Sequence, residues 1–335
     1  MRKNNLYIKT KKGIKCLLCP HECNLAEGQS GICLNRKNSK GKMISLAYGH
    51  PCAINLDPIE KKPLFHFLPT SSTLSIGTEG CNLNCKNCQN YEISQHAPSQ
   101  AGYSNHTPQQ IINKTKIQQS KIISYTYNEP ITYYEYMYDI AVLAHQSNIK
   151  NVIVSNGYIN ENPLKELLPF LDGANIDLKC FNDITYKKLT GASLYPVLKT
   201  LEILRDSNVW LEITNLIIPR WSDDFDMIKE MCTWLVNNGF SKTPIHFNRF
   251  FPTYKLSNTP HTAEIVLMKA RDIALSMGME YVYVGNFLGR TVENTYCPKC
   301  NNLLVERIGY NVTTHNFKNG TCPNCGTRIP GVWSI

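Results

Sequence analysis

Eleven of the chain's fourteen cysteines stand in three tight groups, and the groups differ in what their spacing can bind. Cys81, Cys85 and Cys88 form Cys-x3-Cys-x2-Cys inside "GTEGCNLNCKNCQN", with Gly80 before the first thiol and no fourth ligand close behind the last. Three thiolates at this spacing fit three irons of a [4Fe-4S] cluster and leave the fourth iron open. A structural zinc normally takes four protein ligands and would have to borrow His66 or His96. Gly80 lets the backbone turn close to such a group, and Asn82, Asn84 and Asn87 suit a loop.

Cys297, Cys300, Cys322 and Cys325 form two Cys-x2-Cys knuckles 21 residues apart, enough thiolates to close a tetrahedral zinc shell in a ribbon. Such a shell leaves no position for catalysis. Cys16, Cys19, Cys23 and Cys33 are open to two readings. One is zinc, which the ribbon-like spacing favours and in which His21 could replace one thiolate; the other is an auxiliary [4Fe-4S] cluster in an enzyme supplied with electrons. Cys52, Cys180 and Cys232 stand alone and read as buried or idle thiols.

These groups need elements to position them. Apolar, β-branched runs recur at 73 (TLSIG), 121 (KIISYTY), 151 (NVIVSN), 173 (GANIDLK), 209 (VWLEITNLII), 244 (PIHFNRF) and 279 (MEYVYVGN), with helical periodicity between them. Thr107-Pro108-x-Gln110 carries the start signal of one such helix, a capping box with proline in the first turn. The alternation predicts a parallel sheet with crossover helices, either doubly wound or a full or partial β/α barrel. The three-cysteine loop follows the first run, at the C-terminal rim where barrels of this type place their active sites.

Composition narrows the setting. A chain of 335 residues suits one main domain with small appendages, here expected as a basic Cys-rich module over 1–50, a barrel over 51–290 and a zinc ribbon over 291–335. No run approaches the roughly 18 apolar residues of a membrane span, and "MRKNNLYIKTKKGIK" lacks the apolar run of a signal peptide, so a cytoplasmic, reducing setting is expected. Of the net charge of +9, residues 1–42 contribute ten Lys or Arg against Glu22 and Glu27. A basic arm of this kind meets RNA, an acidic protein or solvent. The ribbon, with Lys299, Arg307, Lys318 and Arg328, lacks the dense basic and aromatic stripe of a nucleic-acid binder.

With these residues in view, the chain resembles the radical S-adenosylmethionine (SAM) superfamily. Within it the chain is similar to the pyruvate formate-lyase activating enzymes and, more specifically, to the AmmeMemoRadiSam system radical SAM enzymes. The matching segments are "CLLCPHECNLAEGQSGIC", "DPIEKKPLFHFLP", "GCNLNCKNCQN", "TYNEP", "SNGYI", "NIDLKCFND", "HFNRFFPTYKL" and "ENTYCPKC", in order along nearly the whole chain. The resemblance implies a partial (β/α)6 barrel in which the open iron takes SAM and reductive cleavage gives a 5′-deoxyadenosyl radical that abstracts hydrogen. It also implies a protein or peptide substrate, as in glycyl-radical activation, and an electron donor such as a flavodoxin or ferredoxin; a small-molecule substrate and RNA modification are the alternatives.

By position in the matching segments, Asn128 and Glu129 would meet the SAM amino group and Ser155, Asn156 and Gly157 its carboxylate; Asp177, Lys179, Glu212 and His246 would be further cofactor contacts. Local chemistry offers these residues structural roles too: Asn128 as a helix cap, Asp177 and Lys179 as a mutual ion pair, His246 as a satisfied core histidine. Two positions depart from the family pattern. Asn87 stands where an aromatic residue often precedes the third cysteine near the adenine, and Val154 stands where the activating enzymes carry a cation-site aspartate.

Overall fold

The computed structural model describes residues 6–99, 104–286, 291–317 and 319–334. The chain begins with a small antiparallel sheet of β1 (Tyr7–Thr10), β2 (Gly13–Cys16) and β3 (Asn24–Leu25), followed by a hairpin of β4 (Arg36–Ser39) and β5 (Lys42–Ser45). Lys40 and Gly41, both at positive φ, make that hairpin's two-residue turn, a conformation whose twist matches the flanking strands.

Eight strands then form the central sheet. β6 (Ala53–Pro58) lies antiparallel on one edge, beside β7 (Ser72–Gly77). β8 (Ile122–Tyr125), β9 (Lys150–Ser155), β10 (Gly173–Asp177), β11 (Trp210–Ile217), β12 (Ile245–Arg249) and β13 (Val282–Gly285) follow, all parallel to β7 and in sequence order. Strand order equal to chain order is what repeated one-handed crossovers produce. The crossovers run through α1 (Tyr91–Ser94) and α2 (Pro108–Ile117), α3 (Tyr134–Gln146), α4 (Glu161–Leu167), α5 (Asp183–Thr190) and α6 (Tyr195–Arg205), α7 (Phe225–Asn237), and α8 (Glu264–Ser276). The apolar faces of the helices and strands close one large core around residues such as Ile123, Ile176, Leu201, Ile213 and Leu235, all fully buried. None of these helices is long and apolar enough to cross a membrane.

All seven expected strands are present and parallel; six helical crossovers join them, which gives the six strand–helix units expected, closed by β13 as a last strand. The eighth strand, β6, escapes a search for apolar alternation because it is an edge strand with Asn55 and Leu56 exposed. At the start of α2 the capping box forms as expected: the Thr107 hydroxyl accepts from Gln110 N at 3.3 Å and the Gln110 side chain accepts from Thr107 N at 2.8 Å.

After β6 the chain turns under the sheet. Phe67 packs with Ile122 and Trp210, the first residues of β8 and β11, and a Cβ on Gly173, the first residue of β10, would fall 3.1 Å from the Phe67 ring. Residues 59–68 therefore close the N-terminal ends of the strands. The C-terminal module, with β14 (Thr295–Tyr296), β15 (Leu303–Ile308) and β16 (Asn311–Thr314), packs at the same end. Its core joins Leu304, Phe317 and Ile329 to Phe65, Tyr281 and Tyr283. The boundary expected at residue 290 falls beside 287–290, which lie outside the described residues, as does Lys318.

Candidate functional site

Two glycines set the loop that carries Cys81, Cys85 and Cys88. A Cβ on Gly77, the last residue of β7, would lie 2.9 Å from Thr126 O, so only glycine lets β7 close on the end of β8. Gly80 has φ +94° and a Cβ there would lie 2.6 Å from Cys33 O, which brings the N-terminal module directly against the loop.

The loop is then stitched to the rim on both sides. Asn84 N donates to Thr190 O at 2.7 Å and Lys86 N to Leu189 O at 2.9 Å, at the end of α5. On the other side Asn128 donates from Nδ2 to Gly80 O at 2.6 Å and accepts from Thr78 N at 3.3 Å. Cys88 Sγ lies 3.0 Å from Ser94 Oγ. Burial pushes the Cys81 thiol well up, with Glu129 adding to it, and pushes Cys85 up to about 12. A coordinating metal deprotonates such thiols outright.

Asn128 and Asn156 bond this loop, and Glu129, Ser155 and Gly157 stand directly behind them. The Glu129 carboxylate accepts from Ser155 Oγ and Asn156 N, both at 2.8 Å, and from Ile131 N at 3.1 Å, so it ties the ends of β8 and β9 together. Burial raises its pKa to about 7 against those donors. Asn156 Nδ2 donates to Asn82 Oδ1 at 2.8 Å and sits 3.9 Å from Cys81 Sγ. Asn82 in turn donates to Tyr158 O at 2.8 Å. Gly157 takes φ +69° with Ile176 packed where a Cβ would go. The sequence reads Asn82 only as a loop residue and gives Tyr158 no role of its own; an asparagine directly after the first cysteine is the available signal.

Asp177 and Lys179 reach the same rim from β10 as an ion pair of 2.8 Å. Burial works against the Lys179 ammonium, yet Asp177 and the Cys85 sulfur hold its pKa above the ordinary lysine value.

Glu212 and His246 are placed elsewhere. Glu212 is fully buried over the base segment, where its two oxygens accept from Phe65 N (2.9 Å), His66 N (2.7 Å), Trp210 Nε1 (2.9 Å) and His246 Nε2 (2.7 Å). Burial alone would raise its pKa; the His246 and Trp210 donors hold it below the usual value. With every oxygen committed at the N-terminal end of the sheet, this pair braces the base and does not reach the rim. His66, a conceivable fourth ligand, is also at the base: Nδ1 bonds Pro330 O at 2.8 Å and Nε2 bonds Tyr283 Oη at 2.6 Å. Its burial lowers the pKa to about 4.

The two outer cysteine quartets separate in the same way. At the base, the sulfurs of Cys297, Cys300, Cys322 and Cys325 all lie within 4.8 Å of one another, close enough to share one metal ion. Arg307, one of the ribbon's basic residues, is buried and bonded to Phe65 O and Glu293 O, so it offers no charge to a nucleic acid. At the rim, Cys16, Cys19, Cys23 and Cys33 line a common cavity beside Asn82. Burial, and after it the neighbouring sulfurs, push the Cys19 thiol up to about 12.

The rim site fits an open iron–sulfur cluster on two counts. Its three thiols have no fourth partner and are not drawn together as around one ion, the ribbon being the only such cluster among the described residues. Beside Cys88, the buried Asn87 Oδ1 has no hydrogen-bond partner among the described residues, which suits a bound group that brings a donor.

Comparison with known proteins agrees with this geometry. Residues 75–235 match the Radical SAM superfamily. An uncharacterized protein of Methanocaldococcus jannaschii is 42% identical over 318 residues, which cover 94% of this chain and 95% of that one. The pyruvate formate-lyase 1-activating enzyme of Escherichia coli K12 is 30% identical over 100 residues, 29% of this chain and 41% of that enzyme. Among solved structures, that of Streptococcus suis SuiB superposes with a TM-score of 0.50 at 12% identity, covering 68% of this chain and 52% of that one, a likeness of fold.

Proposed function

This chain belongs to the radical SAM superfamily, and we propose that it abstracts a hydrogen atom from a protein or peptide, as an activating enzyme does. The observation that carries the reading is the three-thiol loop at the C-terminal rim, tied by Asn82, Asn128 and Asn156 to the ends of β8 and β9. Superfamily membership implies a [4Fe-4S] cluster and SAM, which when bound would supply a 5′-deoxyadenosyl radical. Cys81, Cys85 and Cys88 would hold the cluster. Asn128, Glu129, Ser155, Asn156 and Gly157 would border SAM, with Asp177 and Lys179 across the rim. Glu129 acts there by shaping the β9 turn, since its oxygens are already occupied by Ser155, Asn156 and Ile131.

A macromolecular substrate is favoured by the relatives, two of which are named as activating enzymes of pyruvate formate-lyase and of 4-hydroxyphenylacetate decarboxylase. The ribbon lies at the base and the N-terminal module beside the loop, so such a substrate would approach the rim past the N-terminal module. A one-electron donor of the flavodoxin or ferredoxin class would feed the cluster. The C-terminal quartet we assign to zinc, since a Zn–S bond of about 2.3 Å sets tetrahedral thiolates roughly 3.8 Å apart, against 3.5 Å for Cys297–Cys325 and 3.6 Å for Cys300–Cys322.

The test is transfer of label. With SAM, a reductant and partner proteins from the source cell grown in deuterated medium, deuterium should enter 5′-deoxyadenosine. Label arriving only from small metabolites would end the protein-substrate reading.

A further inference from the structure

Spacing alone leans toward zinc for Cys16, Cys19, Cys23 and Cys33; the geometry leans the other way. The four thiols are gathered by the fold: Cys16 N donates to Cys23 O at 2.9 Å, Glu22 N closes a turn on Cys19 O at 3.0 Å, and a Cβ on Gly31 would lie 3.5 Å from Cys23 Sγ. All four line one cavity. Yet no three of them approach as closely as the ribbon thiols do, because the only set of three or more potential ligands within 4.8 Å among the described residues is the ribbon's. One chain thus holds two quartets of the same residue type, one collapsed to the spacing of a single tetrahedral ion and one spread around a space. A cubane presents its thiolates on four separate irons, so it needs them spread.

The cavity wall carries a second, independent sign of an occupant. Arg36, 2% exposed, spends one end of its guanidinium on Glu135, with Nη1 to Oε1 at 2.8 Å and to Oε2 at 2.6 Å. Its Nε and Nη2 are buried and have no hydrogen-bond partner among the described residues. A guanidinium is always charged and its N–H groups demand acceptors, so two buried orphans on the wall of a cysteine cavity are costly unless something anionic fills it. Among the described residues no cysteine sulfur accepts from Arg36 Nε or Nη2; the sulfides of a cluster would present acceptors of their own. His21, the alternative ligand, is already engaged through Nε2 with Asn82 O at 2.8 Å.

We propose that Cys16, Cys19, Cys23 and Cys33 hold a second [4Fe-4S] cluster, all four irons ligated by cysteine and Arg36 donating to it. With no open iron this cluster cannot take SAM. Asn82 lines its cavity and directly follows Cys81, so the second cluster adjoins the first across a single residue.

The experiment counts metal in anaerobically reconstituted full-length protein. The parent should carry about eight irons and eight sulfides with about one zinc per chain. The variant Cys81→Ala/Cys85→Ala/Cys88→Ala should keep about four irons, with an EPR signal on reduction that SAM does not alter. Cys16→Ser/Cys19→Ser should lose about half the parent's iron and keep the SAM-sensitive signal. About four irons and two zincs in the parent, or an iron-free triple variant, would overturn the assignment. The parent count needs no variant to fold.

Discussion

The two ends of the parallel sheet use the same residue types for different work. At the rim, asparagines and a carboxylate are joined by hydrogen bonds that set the loop of three thiols, and the buried Asn87 Oδ1 and two Arg36 nitrogens have no hydrogen-bond partner among the described residues. At the base, Glu212 meets four donors, His246 among them, and both ring nitrogens of His66 are bonded, while four further cysteines gather within 4.8 Å of one another. The contrast teaches that a polar residue on a barrel strand acquires its role from the end of the strand it stands at.

If that division holds, damage to the base should cost stability and spare chemistry, while damage to the rim should do the reverse. The largest effect is expected at the ribbon. Cys322→Ser should release its metal and destabilise the fold by on the order of 4 kcal/mol, with rim iron retained; unchanged zinc content would remove the metal from this end.

Next comes His66. Its folded pKa of about 4 lies below the unfolded value near 6.5. The unfolded chain therefore binds the extra proton first, so the contribution of neutral His66 is complete above about pH 6.5 and is lost as pH falls toward 4. The drop should reach about 3 kcal/mol, read from denaturation midpoints. His66→Gln should flatten that window, and an unaltered pH profile in the variant would place the acid sensitivity elsewhere.

A smaller stability cost, about 1–2 kcal/mol for a buried hydrogen bond, should attend Asn156→Ala at the rim. There SAM cleavage should fall at least tenfold. Equal loss of stability and activity, traced to unfolding, would make Asn156 only a brace. The smallest effect is expected away from both ends: Thr107→Ala removes a helix cap worth about 1 kcal/mol and should leave iron content and turnover unchanged.

Much of this arrangement was legible in the sequence. β-branched runs announced all seven parallel strands, Thr107 and Gln110 announced their capping box, and cysteine spacing grouped the ligands. Of the turn residues, Asn128 and Asn156 bond the cysteine loop, and Glu129, Ser155 and Gly157 stand behind them. Position within a matching segment listed Glu212 and His246 beside the rim residues, but it says nothing about which end of a strand a non-local segment will cover; here Phe65 and His66 bond Glu212 at the base, and His246 is the satisfied core histidine that its local chemistry also allowed. Residues 59–68 were recognised by resemblance, yet their place beneath the strands depends on contacts with Ile122, Gly173 and Trp210, far away in sequence. Arg36 was invisible for the same reason, its burial and its partner Glu135 being products of docking the N-terminal module on the rim.

The central claim is that the rim loop, and neither outer quartet, is where SAM is cleaved. The direct measurement is 5′-deoxyadenosine formed from SAM under reducing, anaerobic conditions by the reconstituted parent, Cys85→Ala and Cys180→Ala. Cys85→Ala should fall to the uncatalysed background while Cys180→Ala, which changes a buried thiol outside all three groups, stays near the parent. A Cys85→Ala protein that still cleaves SAM at the parent rate would contradict the account.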